Sequence, residues 1–183
     1  MINIIAAVSQ NGIIGDANSN NIPWMGKYPE DMKFFRQKTA GATIICGRHT
    51  FESFGAKPLP KRRNIVVTHS DQYKDIGVEA VSSFKEAIDI AGTPIPAVAT
   101  VDKDGKQILS ENTDNIWLIG GASIYREGME VADTIYLTLI PEYVRDVKTP
   151  VYFPWIDPSV FELNEDLISL ENSDLKVYQY SRF

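Results

Sequence analysis

Asn115-Ile116-Trp117-Leu118-Ile119-Gly120-Gly121-Ala122-Ser123-Ile124-Tyr125 joins an apolar run to a glycine pair and then to a helical pattern reaching about Val131. Ile116 to Ile119 carries no charge, as a strand buried on both faces requires. Thr134-Ile135-Tyr136-Leu137-Thr138-Leu139-Ile140 is the next strand, so strand, helix and strand follow in turn. Upstream the alternation repeats. Ile2 to Val8 and Thr43 to Cys46 are β-branched apolar runs, and Asn64 to Thr68 and Val78 to Val81 are two more. Between them lie a helix over Pro29 to Thr39 closed by Gly41, a short one through Phe51 to Phe54, and one over Phe84 to Ala91 capped from Ser82-Ser83. Glu162 to Leu170 and Leu175 to Arg182, joined by residues 171–174, read as an antiparallel hairpin.

These patterns predict an α/β fold: one domain over residues 1–183, with a mostly parallel central sheet flanked by helices on both faces and a C-terminal antiparallel hairpin. Residues 93–115, interrupted by Pro94 and Pro96, read as an inserted hairpin. Ser9 to Trp24 reads as a long loop without structure of its own, which is more often functional than accidental.

Hydrophobic residues at 44% and charged residues at 23% give this length a core of its own. A net charge of -6 argues against a general nucleic-acid or membrane-surface binder. Cys46 is the one cysteine, set in an apolar run, so it is read as a buried structural thiol. Ile2 to Val8 lacks the basic start of a signal segment, and no run reaches membrane-spanning length. A cytoplasmic monomer is expected. His49 and His69 are the only histidines, and no metal-ligand spacing is present.

In open α/β sheets, ligands sit beyond the carboxyl ends of strands, where strand order switches. Two strand ends here suit phosphate. Gly120-Gly121 allows close backbone approach before a helix start, and Gly47-Arg48-His49-Thr50 repeats the arrangement with a cation and a hydroxyl. Thr68-His69-Ser70 leaves a third strand with polar side chains that suit a ribose phosphate. Each signal alone is weak, since a glycine pair is often only a tight turn. Lys61-Arg62-Arg63 stands out in an acidic chain and reads either as a solvated loop or as a guanidinium site for a carboxylate ligand. Asp31 follows Pro29 in a first helical turn, where a carboxylate ordinarily just complements the helix dipole. Yet it adjoins Met32 and lies one turn before Phe34-Phe35, an apolar address that is costly without a partner.

In order along the chain, Ile4-Ile5-Ala6-Ala7, Ile13-Ile14-Gly15, Pro23-Trp24, Asp31 with Phe34-Phe35, Gly47-Arg48-His49-Thr50-Phe51-Glu52-Ser53, Pro58-Leu59-Pro60, Arg62-Arg63-Asn64, Ile119-Gly120-Gly121 and Tyr136-Leu137-Thr138 resemble the landmarks of the dihydrofolate reductases. The resemblance spans the chain apart from residues 93–115. It implies NADPH-dependent reduction of 7,8-dihydrofolate to tetrahydrofolate, a step of one-carbon metabolism, with a small-molecule substrate and neither nucleic acid nor membrane as partner. Asp31 would bond the pterin, Thr138 would hold its carboxylate, and Trp24 would position a water that carries the proton. Ile5 and Ile119 would offer carbonyls to the pterin edge, beside Ala7. Met32, Phe35, Phe54 and Leu59 would grip the aminobenzoyl part of folate, and Arg62 its glutamate carboxylate. Ala7, Ile14, Gly15, Gly120, Gly121, Ala122, Ser123, Ile124 and Tyr125 would meet the nicotinamide and pyrophosphate. Gly47, Arg48, His49, Thr50, Thr68, His69 and Ser70 would meet the remaining phosphates, with Arg48 and the His69-Ser70 pair nearest the 2′-phosphate. No metal is implied. Ser9 to Trp24 resembles the family's mobile loop.

This chain departs from the family pattern at Met25-Gly26-Lys27, which lengthens the path from Trp24 to Asp31. It also has Ser123 where some relatives carry arginine, and a longer stretch from Glu142 to Pro150 in which Asp146 is the candidate carboxylate to brace the mobile loop. Two rivals keep part of this reading: a pyrimidine reductase on the same fold, and a non-catalytic pterin- or nucleotide-binding module. Asp31 before Phe34-Phe35, with Pro58-Leu59-Pro60 and Arg62, speaks against the first; the second is open to a turnover assay.

Overall fold

The structure is a computed structural model that describes residues 1–19, 21–73, 76–94 and 114–183. The expected hairpin over residues 93–115 lies almost wholly outside the described residues. Among the described residues, eleven strands and four α-helices follow in the order β1 (Ile2–Ser9), β2 (Ile13–Asp16), α1 (Pro29–Thr39), β3 (Thr43–Gly47), α2 (Arg48–Ser53), β4 (Arg63–Val67), β5 (Glu79–Val81), α3 (Phe84–Ala91), β6 (Ile116–Leu118), α4 (Ala122–Gly128), β7 (Thr134–Ile140), β8 (Pro150–Tyr152), β9 (Phe161–Leu163), β10 (Ile168–Ser169) and β11 (Lys176–Arg182).

The main sheet runs β10-β11-β7-β1-β6-β3-β4-β5, with β9 beside β10 on the outer edge of β11. Strands β7, β1, β6, β3, β4 and β5 are parallel, and β11 closes the sheet antiparallel to β7. The chain first builds outward through β3, β4 and β5, then returns to insert β6 between β1 and β3. That insertion is the switch in strand order.

Alternate residues of the central strands face opposite layers, as the period of two dictates. Ile4, Ile45 and Leu118 point into one core with Phe84 and Ala87 of α3 and Ile124 of α4. Ile5, Ile44, Cys46 and Trp117 point into the other with Phe34 of α1 and Phe51 of α2. The predicted layers are therefore present. Removing Phe34 from water contributes about 2 kcal/mol, which helps to hold α1 where Asp31 is useful. A Cβ at Gly128 would run into Leu118 Cδ1, so α4 lies close against β6. At the outer side Arg63, only 1% exposed, forks onto Glu79 at 2.6 and 2.8 Å and donates to the Thr93 carbonyl at 3.0 Å. A buried guanidinium needs such complete pairing.

Three details differ from the sequence expectation. Ser9 to Trp24 is not structureless, because β2 within it pairs antiparallel with β8. These are short, half-exposed strands whose partners lie over a hundred residues apart, so no local pattern marks them. Helix α2 begins at Arg48 rather than Phe51, after an extended Gly47. The strand expected over Glu162 to Leu170 is split into β9 and β10, because between the Leu163–Tyr180 and Ile168–Val177 pairs it uses more residues than β11 does.

Candidate active site

The carboxyl ends of β1, β3, β4 and β6 open into one cleft with two hollows. The first encloses about 350 Å³ and is lined by Ile5, Ala7, Ile14, Gly15, Asp31, Met32, Phe35, Phe54, Ile119 and the Gly120-Gly121 pair, with Tyr125 behind. The second encloses about 550 Å³ and is lined by Gly47, Arg48, His49, Thr50, Thr68, His69, Ser70, Ser123, Ile124 and Glu127. His49, Thr50 and Gly121 belong to both walls, so the hollows form one elongated site.

Asp31 reaches the first hollow from the first turn of α1. Pro29 starts that helix, and Asp31 faces inward on the side of Phe34 and Phe35. Burial holds its carboxyl above the ordinary carboxylate value, while a hydrogen bond from the Thr138 hydroxyl pulls it back. Thr138 is fully buried on β7, so it can fix the carboxylate's orientation. No lysine or arginine lines this hollow among the described residues. Asp31 is thus an anionic acceptor in apolar surroundings, suited to a ligand that brings N–H donors or a proton.

Two carbonyl positions flank it. The Ile5 carbonyl accepts from the Tyr125 hydroxyl at 2.9 Å and keeps a second lone pair. Ile119 lies across the sheet at the end of β6, its amide held by the Ile45 carbonyl at 3.0 Å. Burial and the nearby Asp31 charge keep the Tyr125 phenol strongly neutral, so it serves as a donor.

Gly120 cannot take a larger residue without strain, and Gly121 leaves little room for one. Gly120 has φ +111°, and a Cβ there would stand 3.0 Å from the Tyr125 hydroxyl; at Gly121 it would stand 3.4 Å from Thr50 Oγ1. Gly47 donates to the Gly120 carbonyl at 2.8 Å, which ties the two glycine turns together. The bare backbone between the hollows and the Arg48, His49, Thr68, His69, Ser70 donor set beyond it fit an elongated phosphate-bearing cofactor. Arg48 lies 3.6 Å from Glu52, which also approaches His49 at 3.8 Å.

Some expected residues stand elsewhere. Trp24 is 5% exposed and is not part of the wall of either hollow. Leu59 packs in the core around Phe51, and Ala122 lies outside both linings. Arg62 sits at the rim beyond Phe35, its guanidinium 5.9 Å from that ring. Among the described residues it donates to Thr39 Oγ1, the Pro60 carbonyl and the Arg36 carbonyl, which uses three of its five N–H groups and leaves one on each terminal nitrogen. Burial and the Arg36 charge lower its pKa. Asp16, Asn21, Ser53 and Val151 line the first hollow and Glu127 the second, none of them anticipated. Ser53 had a signal, the strand-turn-helix landmark ending in it; Val151 had none, because β8 was not foreseen. The Glu142 carboxylate meets Lys27 and Tyr28, on the lengthened path between Trp24 and Asp31.

The family model described as "Dihydrofolate reductase" matches residues 1–182. A curated dihydrofolate reductase of Buchnera aphidicola subsp. Acyrthosiphon pisum (strain APS) is 39% identical over 153 residues, covering 84% of this chain and 78% of that protein. That of Bacillus subtilis (strain 168) is 34% identical over 163 residues, covering 89% and 81%. Among solved structures, a dihydrofolate reductase from Enterococcus faecalis complexed with NADP(H) and RAB-propyl is similar with a TM-score of 0.76 and 28% identity, over 100% of this chain and 96% of that one.

Proposed function

The chain belongs to the dihydrofolate reductase family, and from that premise we propose that it reduces 7,8-dihydrofolate to 5,6,7,8-tetrahydrofolate with NADPH. The observation that carries this reading is Asp31, a desolvated carboxyl held by Thr138 in a mostly apolar hollow that joins through a glycine pair to a donor-rich one. When bound, NADPH supplies the hydride. The residues of this chain bind, orient and protonate.

Asp31 accepts hydrogen bonds from a pterin ring nitrogen and its amino group, and Thr138 holds the carboxylate toward them. The carboxylate stabilises positive charge that develops when the reduced ring nitrogen takes a proton, an effect strengthened by the dry surroundings. A water held near Trp24 carries that proton, because Asp31 bonds the opposite edge of the pterin. The free lone pair of Ile5 and the carbonyl of Ile119 orient the ring. Met32, Phe35 and Phe54 enclose the aminobenzoyl group, and the two unengaged N–H groups of Arg62 suit a carboxylate at the rim. Gly15 and Ile14, carried on β2, cover the hollow at the nicotinamide end. Arg48, His69 and Ser70 suit the 2′-phosphate, and His49, Thr50 and Thr68 the remaining phosphates. NADPH absorbance followed with dihydrofolate present is expected to fall only when both are added. Folded protein that shows no turnover would overturn the reading.

A further inference from the structure

Both ends of the stretch from residue 10 to residue 28 close on one residue, Glu142. Glu142 lies just past β7, its amide donating to the Ile140 carbonyl at 2.8 Å, so it moves with the strand that carries Thr138. Its own carbonyl accepts from the Gln10 amide at 2.9 Å, where the stretch leaves β1. Its carboxylate accepts from Lys27 Nζ at 3.1 Å and the Tyr28 hydroxyl at 2.9 Å, where the stretch enters α1. Those two bonds hold the Glu142 carboxyl below its ordinary value, so it stays charged.

Tyr28 is the N-cap residue of α1 and gives that helix no side-chain cap; its hydroxyl is committed to Glu142 instead. Asp31 follows one turn later. Between the two anchored ends lie Ile14, Gly15, Asn21 and Ile22, all on the wall of the first hollow. Lys27 is 60% exposed at its side chain, and an ion pair that open contributes little to global stability. Its effect is local: it fixes where the start of α1 stands against β7, and with it Asp31 against Thr138.

We propose that Glu142 is a positioning residue for hydride transfer, acting through Lys27 and Tyr28 to set Asp31 and the β2 segment against the substrate. The proposal rests on the reductase reading above, since the rate it governs is that of the reduction. The test is single-turnover NADPH oxidation with dihydrofolate in wild type, Glu142→Ala, Glu142→Gln, Lys27→Met and the Lys27→Met/Glu142→Ala double variant, with melting temperatures and NADPH affinities alongside. Glu142→Ala is expected to slow the single turnover about tenfold, because small misplacements of reacting groups cost that much or more. Melting temperature and NADPH affinity are expected to stay near wild type. Glu142→Gln, which keeps the acceptor and the shape, should recover part of the rate, and the double variant should be no slower than Glu142→Ala. An unchanged rate in Glu142→Ala overturns the proposal, as does a loss that adds fully to that of Lys27→Met. A wild type without turnover overturns the reductase reading instead, so the two failures are distinct.

Discussion

At one end of the cleft the Asp31 carboxylate faces Met32, Phe35 and Phe54, whereas at the other Arg48, His49 and His69 share an open rim with Glu127. The buried carboxyl has lost water and gained only the Thr138 hydroxyl, so its proton affinity rises. The exposed Arg48 keeps its water and is partly answered by Glu52. Burial therefore concentrates chemical effect in one residue at the first end, while at the second a ligand must collect several modest contacts.

The sharpest way to break this contrast is Asp31→Asn. Turnover at pH 7 is expected to fall by about a hundredfold or more, the range for removing a group that assists proton transfer. Activity should partly recover as pH falls and substrate arrives protonated, while NADPH binding stays nearly unchanged; steady-state rates across pH check it. Unaltered turnover at neutral pH would reduce Asp31 to a helix-start charge.

At the open end, Arg48→Ala should erode the preference for NADPH over NADH by about tenfold, as the loss of one charge-assisted hydrogen bond predicts. Kinetic constants with both cofactors decide it. A preserved ratio would assign selection to His69 and Ser70.

The smallest expected effect is on stability. A carboxyl raised above its unfolded value binds its proton more tightly when folded, so its ionised form penalises folding at any pH above the raised pKa. Asp31→Asn removes that penalty and should raise the melting temperature at pH 7, by about 2–4 °C for each kcal/mol relieved. The gain should shrink as pH falls through the raised pKa and vanish below the ordinary carboxyl range. A gain independent of pH would mean that burial is not what perturbs Asp31.

Much of this was readable in the chain, though unevenly. The runs of β1, β3 and β7, and of β4 past its one paired charge at Arg63, declared themselves because a strand covered on both faces rarely admits charge. The glycine pair and Gly47-Arg48-His49-Thr50 were visible as phosphate-suited turns, and they do meet at one cleft. The pairing of β2 with β8 was not readable, nor was the place of Glu142, since each joins segments far apart with no periodic signal. Trp24 and Leu59 lie in family landmarks and Ala122 next to one, yet all three stand outside the cleft walls, because a position in or beside a motif does not settle which way a side chain faces.

The sequence by itself determined the alternation of strands and helices, the turns that bare the backbone, and the apolar neighbours that flank Asp31. Those are decided by contacts within a few residues. Only the tertiary structure decided that β6 inserts beside β1, that Thr138 reaches Asp31 from another strand, and that Arg62 keeps two N–H groups unspent. Desolvation and hydrogen-bond satisfaction depend on everything packed around a group. Asp31 therefore acquires its perturbed carboxyl only once α1, β1, β6 and β7 have closed around it.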